Sequence, residues 1–99
     1  MIDKATAQQL VVDYLYKFPQ ARRYHYVIME EYTIEKEYGW IFFYNSRRFL
    51  ETGDESAALF GNGPIVVENS NGSIHPLGTL NPLEEEIGLY EAERYTKFK

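Results

Sequence analysis

One α+β domain is the fold class that these 99 residues predict, in the order α-β-β-β-β-α, with about four antiparallel strands and two helices on one face of the sheet. Three observations lead there. Apolar residues near the start recur at helical spacing. The middle of the chain is rich in β-branched and aromatic residues and is punctuated by turn residues. An Asn-Pro-Leu-Glu start signal then opens a second helical stretch. Length sets the scale: residues 1–99 suit one domain, which buries roughly 60–65% of its unfolded surface with a radius of gyration of about 13 Å.

The first helix runs from Asp3 to about Lys17, where Ala7, Leu10, Val11, Tyr14, Leu15 and Phe18 share a stripe. Asp3 is a plausible N-cap and Thr6 its rival; Phe18-Pro19 ends the helix, because a residue before proline is pushed out of the α region. Tyr24 to Tyr38 reads as one long strand. Tyr26, Ile28, Tyr32 and Ile34 share a face that Glu30 interrupts, and a one-residue bulge at Glu30-Glu31 would instead bring Val27 and Met29 into phase. Both registers stay open. Gly39 closes a tight hairpin into Trp40-Ile41-Phe42-Phe43-Tyr44, which is apolar on both faces like a covered central strand. A long connection follows from Asn45 to Gly63. Arg47 to Leu50 could extend the strand there, and Asp54 could cap a short turn through Leu59.

Pro64 to Glu68 is the third strand, with proline tolerated at its first position. Asn71-Gly72 signals a type I′ hairpin, which needs positive φ at both central residues. Ser73 to Leu77 returns as a strand that Pro76 assigns to a sheet edge. Asn81 as N-cap, Pro82 at the first helical position and Glu84 at the third open the last helix. Its Glu84-Glu85-Glu86 run suits the positive end of the helix dipole.

Composition excludes several classes of function. The 44% hydrophobic and 16% aromatic content is too high for a disordered chain. Without cysteine there is no disulfide or thiolate chemistry. The longest apolar stretch is far short of the ~20 residues that cross a bilayer, and charged and amide side chains from Asp3 to Asp13 interrupt any signal-peptide core. A net charge of −5 opposes nucleic-acid binding, leaving the doublets Arg22-Arg23 and Arg47-Arg48 as the only basic clusters before the C-terminal tail. They read as solvated charge. The expected partners therefore include no nucleic acid and no membrane.

No catalytic constellation, cofactor motif or metal-ligand spacing stands out. His25 and His75 are the only histidines and lack His-x-His or His-Glu-x-x-His spacing. Gly61-Asn62-Gly63-Pro64 lacks the lysine and following helix of a phosphate loop; glycines that allow positive φ explain it better. Glu31, Glu35 and Glu37 alternate along the long strand, a solvated face or a patch for a cationic partner. Tyr24, Tyr26, Tyr32, Trp40, Phe42, Phe43 and Tyr44 put much aromatic surface on a sheet that two short helices would not cover, so a homodimer through this aromatic sheet face is an expectation.

An ordered set of segments adds a resemblance: Gly39-Trp40-Ile41-Phe42-Phe43-Tyr44-Asn45-Ser46, then Arg48-Phe49-Leu50-Glu51-Thr52-Gly53-Asp54. Gly61-Asn62-Gly63-Pro64-Ile65-Val66-Val67, Asn71-Gly72-Ser73-Ile74-His75 and Gly78-Thr79 continue it. The chain resembles the YrhB-like family, immunity protein family 35 of bacterial polymorphic toxin systems, over most of its length. That resemblance implies a small cytoplasmic α+β protein, not an enzyme, that binds and blocks a cognate toxin. One branch of the family is associated instead with chaperone-like behaviour, so a small holdase is the alternative. The resemblance brings no catalytic residues. Its recurrent positions, Trp40, Gly53, Gly61, Asn62, Pro64, Gly72 and Gly78, read as turn and core determinants, and its pattern favours a small residue such as alanine where this chain has Gly63. The candidates for partner contact are Glu31, Glu35 and Glu37 on the strand, with Asp54, Glu55 and Asn62 in the long loop.

Overall fold

Asp3 opens the first helix: its Oδ1 accepts from the Thr6 amide at 2.8 Å, settling the choice of cap against Thr6. The computed structural model describes residues 1–59 and 62–98. In it α1 (Lys4–Leu15) buries Ala7, Val11 and Leu15, a spacing of four that keeps one stripe inward. Helix α1 stops before Lys17, and Pro19 does more than end it. It occupies the first turn of a second helix, α2 (Pro19–Tyr24), where its missing N–H is no loss. Helix α2 closes on His25, the only non-glycine residue with positive φ (52°) among the described residues.

The long strand from Tyr24 to Tyr38 is corrected to two short strands separated by a 3-10 turn. Strand β1 (Tyr26–Ile28) and strand β2 (Ile34–Lys36) flank the turn Glu30–Tyr32. Their partners are β4 (Tyr44–Ser46) and β3 (Gly39–Phe42), so the whole segment is one hairpin bent across two sheets. Ile28 pairs with Tyr44 and Ile34 with Ile41, so five residues on one arm face two on the other. The excess is taken up by the 3-10 turn at the site where a one-residue bulge was the alternative. Tyr26 and Ile28 turn inward while Val27 is exposed, and the phase is then reset.

Strand β3 is central, as the apolar run predicts. It lies between β2 and β5 (Ile65–Glu68), with β6 (Ile74–Pro76) on the outer edge, in the order β2-β3-β5-β6. Arg47 to Leu50 does not extend the strand. Ser46 accepts from the Phe49 amide at 3.2 Å and starts a helix, α3 (Arg47–Thr52), which ends on Gly53 at φ 73°. Asp54 then caps the 3-10 turn Glu55–Ala57 as expected. Asn71-Gly72 is not a type I′ turn, since of the two only Gly72 has positive φ (72°). The loop is longer, closed by the Gly72 amide donating to the Glu68 carbonyl at 2.9 Å. The last helix, α4 (Leu83–Phe98), begins one residue later than the Asn81 cap implies; Glu86, rather than Glu84, turns back to accept from the Asn81 amide at 3.1 Å.

Two glycines are needed because chains approach closely. A Cβ on Gly39, which has φ 156°, would lie 1.9 Å from the Val67 carbonyl oxygen; one on Gly63 would lie 2.0 Å from that of Leu77. Gly63 has no positive φ, so the requirement there is space. Gly61 lies outside the described residues.

The α+β class and the four antiparallel strands stand, but the long helices lie on opposite faces of the sheet, not on one. Trp40, Val67 and Ile74 align across the sheet and, with Phe42 and Ile65, pack with Ala7, Val11 and Leu15 of α1. The alternate positions Ile41, Val66 and His75 face the other way, as do Lys36 and Glu68, which bond to α4. Ile41, Phe42, Val66 and Val67 are fully buried, each contributing about 1.5–3 kcal/mol. The Cα radius of gyration is 13.8 Å.

Candidate interaction surfaces

The carboxylates expected to share one strand face are dispersed by the 3-10 turn. Glu31 lies in that turn, Glu35 on β2 and Glu37 in the β2–β3 turn, all exposed. Glu35 shares a face with Trp40 and approaches Lys4 of α1 at 3.8 Å. Glu30, which had interrupted the apolar pattern, accepts from Gln8 at 2.7 Å and joins the turn to α1. Glu30, Glu31 and Glu35 make an acidic edge along the turn and the edge strand β2, beside Lys4 and Gln8 of α1. Asp54, Glu55 and Asn62 belong to the long connection between β4 and β5. Asp54 accepts from the Ser56 hydroxyl and amide, which holds its carboxyl below the usual 3.8, and it pairs with Arg48 at 2.9 Å. Asn62 donates to the Tyr44 carbonyl at 3.3 Å, while Glu55 is exposed. Asp54 and Asn62 thus hold the loop, as does Pro64, which is buried with its carbonyl accepting from the Leu77 amide. Gly78 lies after β6, where an added Cβ would come within 3.0 Å of the Glu86 carboxylate.

The aromatic residues of the hairpin are not displayed on one face. Only Tyr24 and Tyr32 of the seven named are exposed; Phe42 is buried, Trp40 packs on the core, and Tyr26 stacks with Tyr44 at 5.6 Å. Burial raises the pKa of both stacked phenols. Helix α1 packs over Trp40 and Phe42 and takes up part of the aromatic surface through which a homodimer was expected.

Pairing of β1 with β4 has a consequence for the basic doublets. The Arg47 amide donates to the His25 carbonyl at 2.8 Å, which brings α2 and α3 side by side. Between them lies an open groove of about 480 Å³ lined by Arg23, Tyr24, His25, Arg47, Arg48 and Glu51, among others. Arg23 lies over the Tyr24 ring at 5.4 Å, and Arg47 pairs with Glu51 at 3.3 Å with both side chains exposed, whereas exposed Arg48 pairs with half-buried Asp54. A second depression shares His25, Arg47 and Glu51 and continues onto Tyr16, Val27 and Leu50.

Glu68, at the end of β5, anchors α4. Its buried carboxylate accepts from the Tyr90 hydroxyl, and from Arg94 Nε at 3.0 and 2.9 Å on its two oxygens. Arg94 also lies over the Tyr38 ring at 4.5 Å, and Tyr38 donates to Glu91 at 2.8 Å. That donation holds Glu91 below its ordinary value. Burial, followed by the bonded carboxylates, raises Tyr38 and Tyr90 well above theirs. The sequence hints at this cluster in a charged residue ending an apolar run and in the Tyr90/Arg94 spacing of one helical turn. Nearby, Ser73 Oγ and His75 Nε2 are 2.8 Å apart, but no hydrogen bond joins the ring to a carboxylate among the described residues. Among those residues, no group of three acidic, histidine or cysteine side chains could hold a metal ion, and no helix is long and apolar enough to cross a membrane.

The family model described as Immunity protein 35 matches residues 5–88, from α1 into the start of α4. The Escherichia coli (strain K12) protein called "Uncharacterized protein YrhB" is 50% identical over 58 residues, 59% of this chain. The match covers 62% of that relative's length. No solved structure matches.

Proposed function

The chain belongs to the immunity protein 35 family, and on that basis we propose that it is a cytoplasmic, non-enzymatic immunity protein that binds one cognate bacterial toxin and blocks it by occlusion. The family match across most of the chain carries this reading. The exposed carboxylates Glu31 and Glu35 on the acidic edge, with Glu37 in the β2–β3 turn, would steer a cationic toxin surface, and charge complementarity of this kind governs encounter rate more than final affinity. Exposed Tyr32 beside Glu31 supplies an aromatic anchor of the type found at interface centres. Glu55 contributes to the same field from the long loop. Asp54 and Asn62 act by keeping that loop in shape.

Capture of partners by the immobilised protein, from lysate of its own source, tests the reading. One near-stoichiometric partner retained at moderate salt, whose toxicity the protein abolishes, is the expected result. A diffuse set of unrelated, unfolding-prone proteins would replace it with the holdase reading.

A further inference from the structure

We propose that the groove between α2 and α3 is a second docking surface, which takes an acidic segment of a protein partner bearing apolar side chains beside its carboxylates. This inference is independent of the acidic edge and stands whether or not the toxin reading does. Its first support is the convergence of charge. In a chain of net charge −5, two doublets more than twenty residues apart place Arg23, Arg47 and Arg48 with His25 around one groove. The backbone fixes this arrangement, through the 2.8 Å bond from Arg47 to the His25 carbonyl and the left-handed turn at His25.

The second support is that the arginines are already engaged in the chemistry proposed. Arg47 holds Glu51 in a pair whose side chains are mostly exposed, and such a pair is worth little, while Arg48, itself exposed, holds the half-buried Asp54. A partner carboxylate can replace the internal one with bidentate geometry and in a drier setting. The third is the continuation onto Tyr16, Val27 and Leu50, which are all partly exposed and offer an apolar strip beside the charges. A nucleic-acid strand fits less well. Its repeated phosphates would meet Glu51 within the groove and the repulsion of the whole acidic chain, whereas one or two carboxylates flanked by apolar groups match both parts.

Selection of a random peptide library displayed on phage, against the whole wild-type protein, tests the proposal. Enriched peptides should set Asp or Glu beside Leu, Ile or Phe. Their affinity, read by fluorescence anisotropy, should fall about tenfold or more on Arg47→Gln/Arg48→Gln and stay unchanged on Glu31→Gln/Glu35→Gln. Circular dichroism checks the fold of each variant. Arg23→Gln, which touches no internal carboxylate pair described above, serves if the double variant fails to fold. Enrichment without acidic residues, or equal binding to the arginine variants, overturns the proposal. So does a single-stranded oligonucleotide that binds more tightly than the peptides through the same arginines, or a concentration-dependent dimer that those substitutions abolish, since the occupant would then be nucleic acid or a second copy.

Discussion

A carboxylate withdrawn from water at the end of an apolar strand is tolerated only when cations and donors meet it. Glu68 meets Arg94 and Tyr90, so removal of one partner should matter more than removal of both. Arg94→Met is expected to destabilise the fold by about 3 kcal/mol, the lower end for a broken buried pair because Arg94 stays 31% exposed. Glu68→Met/Arg94→Met should recover most of that loss in urea unfolding. The titrating groups set both limbs of the pH profile. Asp3, Asp54 and Glu91 have folded pKa values depressed by Thr6, Ser56 and Tyr38 respectively. Their contribution is therefore complete above the ordinary 3.8 to 4.5 and is lost as pH falls through the folded values. Tyr38 and Tyr90 are raised, so stability is lost as pH rises past the ordinary 10.0, where the unfolded chain ionises first. Thermal unfolding midpoints should be level between roughly pH 5 and 9 and fall on both sides, with Tyr38→Phe flattening the alkaline limb.

At the scale of elements, glycines separate two physical demands. Gly53 needs only a left-handed backbone, with open space where a Cβ would go, so Gly53→Ala should cost about 1 kcal/mol. Gly39 and Gly63 stand where a Cβ would overlap a backbone carbonyl oxygen. Gly39→Ala and Gly63→Ala should each cost more than about 3 kcal/mol, since strands must separate to admit the methyl group. Denaturant midpoints of the three variants rank the two demands directly. Turn chemistry located Gly39 and the resemblance marked Gly53, whereas at Gly63 the residues suggested positive φ and the resemblance spoke against it. The close approach of Leu77 that decides the position is a contact between segments distant in the chain. The same limit explains α2 and α3. A proline that stops one helix can start another, and Ser46 before Arg47-Arg48-Phe49 caps a helix in a segment whose aromatic and apolar residues also suit a strand.

Across the whole molecule, charge is distributed with opposite local signs despite the net −5: carboxylates along the 3-10 turn and β2, and arginines between α2 and α3. Long-range steering follows from such separation and is screened over about 8 Å at physiological salt. With a cationic toxin, Glu31→Lys/Glu35→Lys/Glu37→Lys should slow association by about tenfold or more at low salt and flatten its dependence on ionic strength. Dissociation should change less. Stopped-flow mixing over a salt series measures both, and unchanged association would remove the acidic edge from the interface.

By itself the sequence determined what local spacing can encode: the opening amphipathic helix, the Gly39 hairpin, the apolar strands at Trp40 and Ile65, the edge strand with Pro76, the α+β class and the family. Helical periodicity, β-branching, turn chemistry and ordered motifs all act over a few residues or survive as a linear pattern. Only the tertiary structure decided that the Tyr24–Tyr38 segment breaks, that α1 and α4 take opposite faces, that Glu68 is buried against Arg94, and that Arg23, Arg47 and Arg48 share one groove. Each of these depends on which distant segments meet. A pairing offset on one arm of a hairpin, or the arrival of a helix on the far side of a sheet, changes burial and charge contacts without leaving a periodic trace in the residues themselves.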